Sequence, residues 1–293
     1  MIPGAFDYHS PTTLAEAVAL LGRYGDDAKV LAGGQSLIPA MRFRLAMPET
    51  LIDLGRLENL AYLREENGDL AIGALTRESA LEELPLIAQR YPLLADTAAV
   101  IADPLVRNLA TVGGNLAHAD PANDHPATML AYGATIVAEG PNGRREIAID
   151  DFFTDLFETS LAADEILVEV RIPTPGPGSG GAYLKIERKV GDYAVSAVAV
   201  QLTVADGSIR DARVGLTNVS PVPMRSAGAE AALKGQVPSA EVYEAAGKAA
   251  AADCDPSPDL RGSVEYKRDL TRILTKRAVT QAVERATTTG GAA

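Results

Sequence analysis

Two short stretches of this chain have residue types and spacing that could do chemistry. Lys29-Val30-Leu31-Ala32-Gly33-Gly34-Gln35-Ser36-Leu37 runs three apolar residues into a glycine pair and leaves through two polar side chains. Further on, Ala110-Thr111-Val112-Gly113-Gly114-Asn115-Leu116 repeats the device. Paired glycines let the backbone turn sharply and bring its N–H groups close to another molecule. Ser36 is placed to cap the helix predicted after it, and a helix N-terminus favours negative charge. One glycine pair is ordinary turn punctuation. Two with the same apolar lead-in and polar exit predict loops that grip one extended dianion from two sides, the pyrophosphate of a dinucleotide. No G-x-x-x-x-G-K-[ST] stretch occurs, which argues against a P-loop.

Other groups have plainer readings. Gly176-Pro177-Gly178-Ser179-Gly180-Gly181 fits G-x-G-x-x-G by letter, yet it leads into a predicted strand, where a Rossmann loop opens a helix, and Pro177 removes a donor. It reads as a linker. His118, Asp120, Asp124 and His125 cluster after the second glycine pair, but their spacing fits no familiar ligand pattern, so no metal is expected. Asp124 suits a helix cap, or an acceptor for ligand hydroxyls. Gly34-Gln35-Ser36-Leu37-Ile38 lacks the closing glycine of a nucleophile elbow. With no catalytic triad in view, the chemistry is expected to belong to a bound cofactor.

The elements that must position these groups alternate irregularly between helix and strand, which predicts an α+β fold. Thr13-Leu14-Ala15-Glu16 reads as a capping box, and Gly25 as the stop of that helix. Lys29 to Ala32 is a short strand, Leu37 to Leu45 a helix, and Thr50 to Leu54 a strand. Hairpins are predicted around Asn67-Gly68-Asp69 and Pro141-Asn142-Gly143. Arg77 to Ala102 is helical, broken at Pro85 and Pro92, and Glu165 to Ile172 is a strong strand. The Pro/Gly run at 173–181 is the domain boundary. Beyond it come three alternating strands, Ala182 to Val190, Ser196 to Val204 and Ile209 to Leu216, and then helices ending with Tyr266 to Glu284. Thr287 onward reads as a flexible tail. The predicted organisation is a cofactor domain at 1–175, a linker at 176–181, a second domain at 182–286 and a tail at 287–293.

Composition narrows the function. The chain has 293 residues and a formal net charge of −12. It therefore lacks the basic stripe of a nucleic-acid binder. Cys254 is the single cysteine, so the chain forms no internal disulfide and cannot supply the roughly four thiolates of an iron–sulfur cluster. The N-terminus has neither a basic region nor an apolar core of signal-peptide type, and no apolar run approaches the ~20 residues of a membrane span. A cytoplasmic location is expected.

Taken together, Ala32-Gly33-Gly34-Gln35-Ser36, Thr111-Val112-Gly113-Gly114-Asn115, Asp124, Glu165 to Pro173 and Lys185 to Asp192 resemble the FAD-binding subunit of molybdenum hydroxylases. This group includes the medium subunit of aerobic carbon monoxide dehydrogenases and the FAD domain of xanthine dehydrogenases. The likeness spans nearly the whole chain. It implies a two-subdomain FAD domain of the vanillyl-alcohol-oxidase type, followed by a smaller domain of three antiparallel strands with helices. It further implies that Val30, Leu31, Ala32, Gly33, Gly34, Gln35, Ser36 and Leu37, with Thr111, Val112, Gly113, Gly114 and Asn115, surround the pyrophosphate. By the same likeness Asp124 meets the ribityl or ribose hydroxyls and Leu167 the adenine side. Ile101, Lys185 and Tyr193 lie by the flavin ring. One position departs: carbon monoxide dehydrogenases usually carry His where this chain has Gln35. Gln keeps hydrogen-bonding capacity, so the FAD expectation stands while the substrate stays open.

The implied cofactor set is FAD on this chain, with a molybdenum cofactor and [2Fe–2S] clusters on partner subunits. The implied assembly is a dimer of heterotrimers, cytoplasmic or at the inner face of the membrane, passing electrons to a quinone, NAD or oxygen. Two other readings stay open at this point: a stand-alone flavoprotein of the same fold, and a dinucleotide-binding module without turnover.

Overall fold

A computed structural model describes residues 2–289. Among the described residues the chain builds three larger sheets in order, with one two-stranded hairpin besides. β1 (Asp7–His9), α1 (Leu14–Tyr24), β2 (Ala28–Leu31), α2 (Leu37–Arg42) and β3 (Thr50–Asp53) form the first subdomain, a parallel sheet in the order β1-β3-β2. The Thr13 hydroxyl accepts from the Glu16 amide, and Glu16 reaches back to the Thr12 amide, which starts α1 as the sequence predicts. Ala17, Val18 and Leu21 turn its apolar face to Ile52 and Leu54.

The second subdomain begins with the hairpin β4 (Leu63–Glu66) and β5 (Asp69–Gly73). Asn67 and Gly68 both have positive φ there, as a tight hairpin turn with right-handed twist requires. Helices α3 (Glu78–Glu83), α4 (Pro85–Arg90), α5 (Pro92–Val100), α6 (Pro104–Arg107), α7 (Val112–His118) and α8 (Asp124–Tyr132) follow. A proline sits in the first turn of α4, α5 and α6, where its missing N–H costs nothing, and in α4 and α5 its ring also ends the helix before it. Then come β6 (Thr135–Gly140), β7 (Gly143–Ala148), the small hairpin β8 (Phe153–Asp155) and β9 (Glu158–Thr159), and β10 (Ile166–Pro173). The resulting antiparallel sheet has the order β4-β5-β10-β6-β7.

β11 (Ser179–Glu187), β12 (Ala194–Ala205), β13 (Ser208–Thr217) and β14 (Met224–Arg225) make the third sheet, covered by α9 (Ala227–Leu233), α10 (Ala240–Asp253) and α11 (Val264–Thr289). It has four strands where three were expected. Met224 and Arg225 pair with Leu216 and Gly215, a bridge too short to show any alternation in sequence. The expected linker is also shorter, because Ser179 to Gly181 already pair with Thr203 to Gln201. The expected tail is partly helix: α11 continues to Thr289, with the Thr287 and Thr288 hydroxyls bonded to carbonyls one turn back. Residues 290–293 lie outside the described residues.

The third sheet is buried on both faces. Val198, Val200 and Leu202 of β12 join the core under α10 and α11, while Ala197 and Ala199 join the core of the second subdomain. Glycines allow the close approaches. A Cβ on Gly180 would fall 2.0 Å from the Ala282 carbonyl of α11, and one on Gly215 would fall 2.1 Å from the Ala127 carbonyl of α8. Among the described residues no helix is long and apolar enough to cross a membrane, and the fold gives no support to a placement at the inner membrane face.

Candidate functional site

The first glycine stretch is an open loop between β2 and α2. Gly34 takes φ +72°, in the left-handed region. The amides of Gly33, Gly34, Gln35 and Ser36 donate to no other described residue, so four donors are left open for a ligand. Only the Gln35 side chain folds back, its Nε2 lying 3.4 Å from the Gly33 carbonyl. Ser36 does not cap α2. Its backbone is already helical, and a cap needs extended backbone to aim its hydroxyl at the next turn.

The second stretch is no loop. Thr111 is the N-cap of α7, its hydroxyl accepting from the Gly114 amide at 3.2 Å, so Val112, Gly113, Gly114 and Asn115 form the first helical turn. The Val112 and Gly113 amides are spent on the carbonyls of Thr76 and Ala74 at the end of β5. Gly113 is glycine for packing, since a Cβ there would lie 2.6 Å from the Ala74 Cβ. The expected symmetry of two gripping loops therefore gives way to one open loop facing one helix end. The two do meet: a Cβ on Gly33 would fall 2.2 Å from the Leu109 carbonyl, and one on Gly114 would fall 3.7 Å from the Ala32 Cβ. Asn115 leaves its buried Oδ1 without a partner.

Arg77 is a candidate site residue that sequence reasoning missed. It follows β5, pairs with Thr111 in an isolated bridge and donates to the Leu109 carbonyl. With Ala32, Leu57, Glu58 and Leu75 it lines a cleft of about 220 Å³ between the first two subdomains. A cation thus stands beside the open amides, which suits a dianion. Nothing in the sequence set Arg77 apart from a surface arginine.

A second cluster gathers Asp124, Tyr183, Lys185 and the carbonyl of Val100 next to Ile101. Asp124 is buried at the start of α8 and accepts from the Tyr183 hydroxyl at 2.6 Å and from Lys185 Nζ at 3.0 Å. Burial pushes its carboxyl above the usual range, while Lys185 and Tyr183 pull it back. The same burial holds the Tyr183 phenol well above its ordinary value. Lys185 also donates to the Val100 carbonyl at 3.0 Å and pairs with Glu187 at 3.3 Å. Ile101 is buried at the end of α5. Tyr193 is half-exposed, its phenol raised by burial and by the charges of Asp120 and Asp124. Leu167 lies in β10 beside a bulge, and the neighbouring Val168 carbonyl accepts from the Ala74 amide. The path from Leu167 to Gly113 therefore runs through Ala74.

The His/Asp stretch is dispersed among separate partners. His118 packs at a tilt against the Phe157 ring, Asp120 accepts from the Ala122 amide, and His125 bonds the buried Glu78 at 2.7 Å. No group of three possible metal ligands occurs among the described residues.

Open amides, an adjacent guanidinium and an α+β frame of three subdomains describe a dinucleotide-binding flavoprotein. The chain belongs to the family described as the FAD binding domain in molybdopterin dehydrogenase, matched over residues 4–175, and continues at 181–282 into the CO dehydrogenase flavoprotein C-terminal domain. It is 46% identical to the carbon monoxide dehydrogenase medium chain of Hydrogenophaga pseudoflava, over 96% of this chain and 98% of that one. It is 43% identical to the medium chain from Afipia carboxidovorans, over 98% and 99% respectively. A solved carbon monoxide dehydrogenase from Hydrogenophaga pseudoflava, which lacks the Mo-pyranopterin moiety, superposes with a TM-score of 0.95 at 47% identity, covering 97% of this chain and 99% of that chain. The chain is thus an oxidoreductase flavoprotein subunit with FAD as its cofactor. Its residues fit that group: the unpaired amides at 33–36, Arg77 and the orphaned Asn115 oxygen offer the donors and acceptor an extended nucleotide needs.

Proposed function

We propose that this chain is the electron-transfer subunit of a multi-subunit molybdenum hydroxylase, receiving electrons from [2Fe–2S] clusters on a partner subunit and delivering them to an external acceptor. In this reading Val30 to Leu37 and Thr111 to Asn115 enclose the pyrophosphate, with the free amides of 33–36 and Arg77 as its donors. Leu167 borders the adenine side. Asp124, fixed by Lys185 and Tyr183, meets the sugar hydroxyls, while Ile101, Lys185 and Tyr193 border the isoalloxazine. The flavin supplies the ability to accept and release electrons; the chain binds and orients it.

One observation carries the reading. The buried acid–base pairs Asp124–Lys185 and Glu78–His125 are each paired internally, so neither is free to serve a substrate. Such a site suits electron transfer better than turnover of its own substrate. Cys254 is buried and single, so the cluster ligands must come from another chain. The relatives named medium chains support a complex with other subunits; in this reading those are a molybdopterin-binding large subunit and a [2Fe–2S] small subunit, arranged as a dimer of heterotrimers. The acceptor is a quinone, NAD or oxygen. Purification from the native host tests this: two further polypeptides, iron and molybdenum should accompany the flavin. A yellow protein that purifies alone and turns over a small substrate would overturn it.

A further inference from the structure

We infer that Arg261 is a positioning residue for Tyr193, fixing the ring that borders the flavin; this rests on the placement of Tyr193 proposed above. Arg261 lies in the segment between α10 and α11, far in sequence from every glycine stretch. Its backbone is set by a tight turn in which Asp259 Oδ1 accepts from the Arg261 amide at 2.7 Å and from the Gly262 amide at 3.0 Å. The other Asp259 oxygen is held by the buried Lys267 at 2.9 Å. From this fixed root the guanidinium donates Nη2 to Asp192 Oδ1 at 2.8 Å, and its carbon lies 5.4 Å from the centre of the Tyr193 ring. Its buried Nε has no partner.

Asp192 is the hinge of the arrangement. It accepts from the Tyr193 amide at 2.8 Å and pairs with Arg188 at 3.0 Å as well as with Arg261. These partners, Arg261 foremost, hold its carboxyl down at about 2. Gly191, at φ +81°, seats the loop on the backbone of Ala102 and Asp103, next to Ile101. Among the described residues the Tyr193 side chain has no other ring contact and no side-chain hydrogen bond. Val190 and Leu260, both 92% exposed, do not pack over it. The Arg261 guanidinium is thus placed against the ring to orient the phenol. Arg261 also sets one positive charge beside a ring that otherwise feels the carboxylates of Asp120, Asp124 and Asp192. Arginine is required for the first role, because a flat guanidinium stacks where an ammonium does not, whereas lysine can serve the second.

The test uses the full chain with FAD bound. Arg261→Gln should retain FAD, lower the midpoint potential of the bound flavin and increase its fluorescence as the phenol loosens. Reoxidation of the reduced flavin by ferricyanide should change about two- to fivefold, equivalent to ~0.5–1 kcal/mol at 1.4 kcal/mol per decade. Arg261→Lys should restore the potential but not the rate, and it carries the rate measurement should Arg261→Gln fail to fold. On a Tyr193→Ala background, Arg261→Gln should leave the rate unmoved. If Tyr193→Ala alters the rate and potential while both Arg261 variants match the parent, Arg261 is merely structural and the inference fails. If neither position moves either quantity, the flavin ring lies elsewhere and the placement proposed for Tyr193 fails with it.

Discussion

Replacing Gly33 by alanine should separate cofactor binding from the rest of the fold. The added Cβ would stand 2.2 Å from the Leu109 carbonyl oxygen and 2.8 Å from the Ala110 Cα, whereas an ordinary contact begins near 3.4 Å. Both obstacles are backbone atoms, so no rotamer change relieves them and the two segments must part by more than an ångström. Overpacking of this kind costs ~1–3 kcal/mol, and melting should fall by about 2–4 °C per kcal/mol. The Leu109 carbonyl is also what Arg77 donates to, so moving it shifts the cation beside the open amides. FAD affinity should drop at least tenfold, a loss of ~1.4 kcal/mol or more. Gly34→Ala is the control. It places a side chain at φ +72°, costing ~1–2 kcal/mol of backbone strain, but its steric conflicts are with the movable side-chain ends of Ile38 and Leu31 rather than with backbone. Flavin fluorescence titration of apoprotein, read beside thermal melts, decides the matter. A Gly33→Ala protein that melts lower yet binds FAD with parental affinity would show that the meeting of loop and α7 has no part in holding the cofactor.

Three further outcomes follow from the geometry. Asp124→Ala leaves Lys185 buried with only Glu187 as counter-charge and should cost about 3 kcal/mol in urea unfolding, whereas Asp124→Leu combined with Lys185→Met should recover much of it. Gly180→Ala forces β11 off the Ala282 carbonyl of α11 and should lower stability by ~1–3 kcal/mol with FAD affinity unchanged in the folded fraction. Asp192 has its folded value depressed from 3.8 to about 2, so it adds stability that is fully present above pH 4 and drains away as pH falls toward 2. Urea midpoints of the parent and Asp192→Asn should therefore differ at neutral pH and converge through that window; a gap that stays constant down to pH 2 would refute the ion-pair account.

Much of this frame is legible in the sequence because local chemistry agrees with it. The Thr13 cap, the Asn67-Gly68 turn and the prolines opening α4 and α5 each act through near neighbours. What escapes depends on long-range contact. The paired glycines look alike in sequence, yet Gly113 is glycine because of Ala74, and Gly33 because of Leu109. Whether a loop's amides stay open depends on which strand end lies beside them. Arg77 and Arg261 gain their roles from partners brought in by the fold. β14 is invisible because two residues carry no period.

The sheet buried on both faces has a mechanical consequence. Arg285 of α11 clasps Asp96 of α5, Arg213 of β13 donates to the Leu130 carbonyl of α8, and Tyr183 reaches Asp124, so the seam between the two sequence-defined halves is tied along its length. Pivoting about the short connection at 174–178 would break every one of these ties and wet Ala197 and Ala199. The halves therefore travel as one solid piece. Swapping either half between relatives requires carrying α5 and α8 along with the sheet they support.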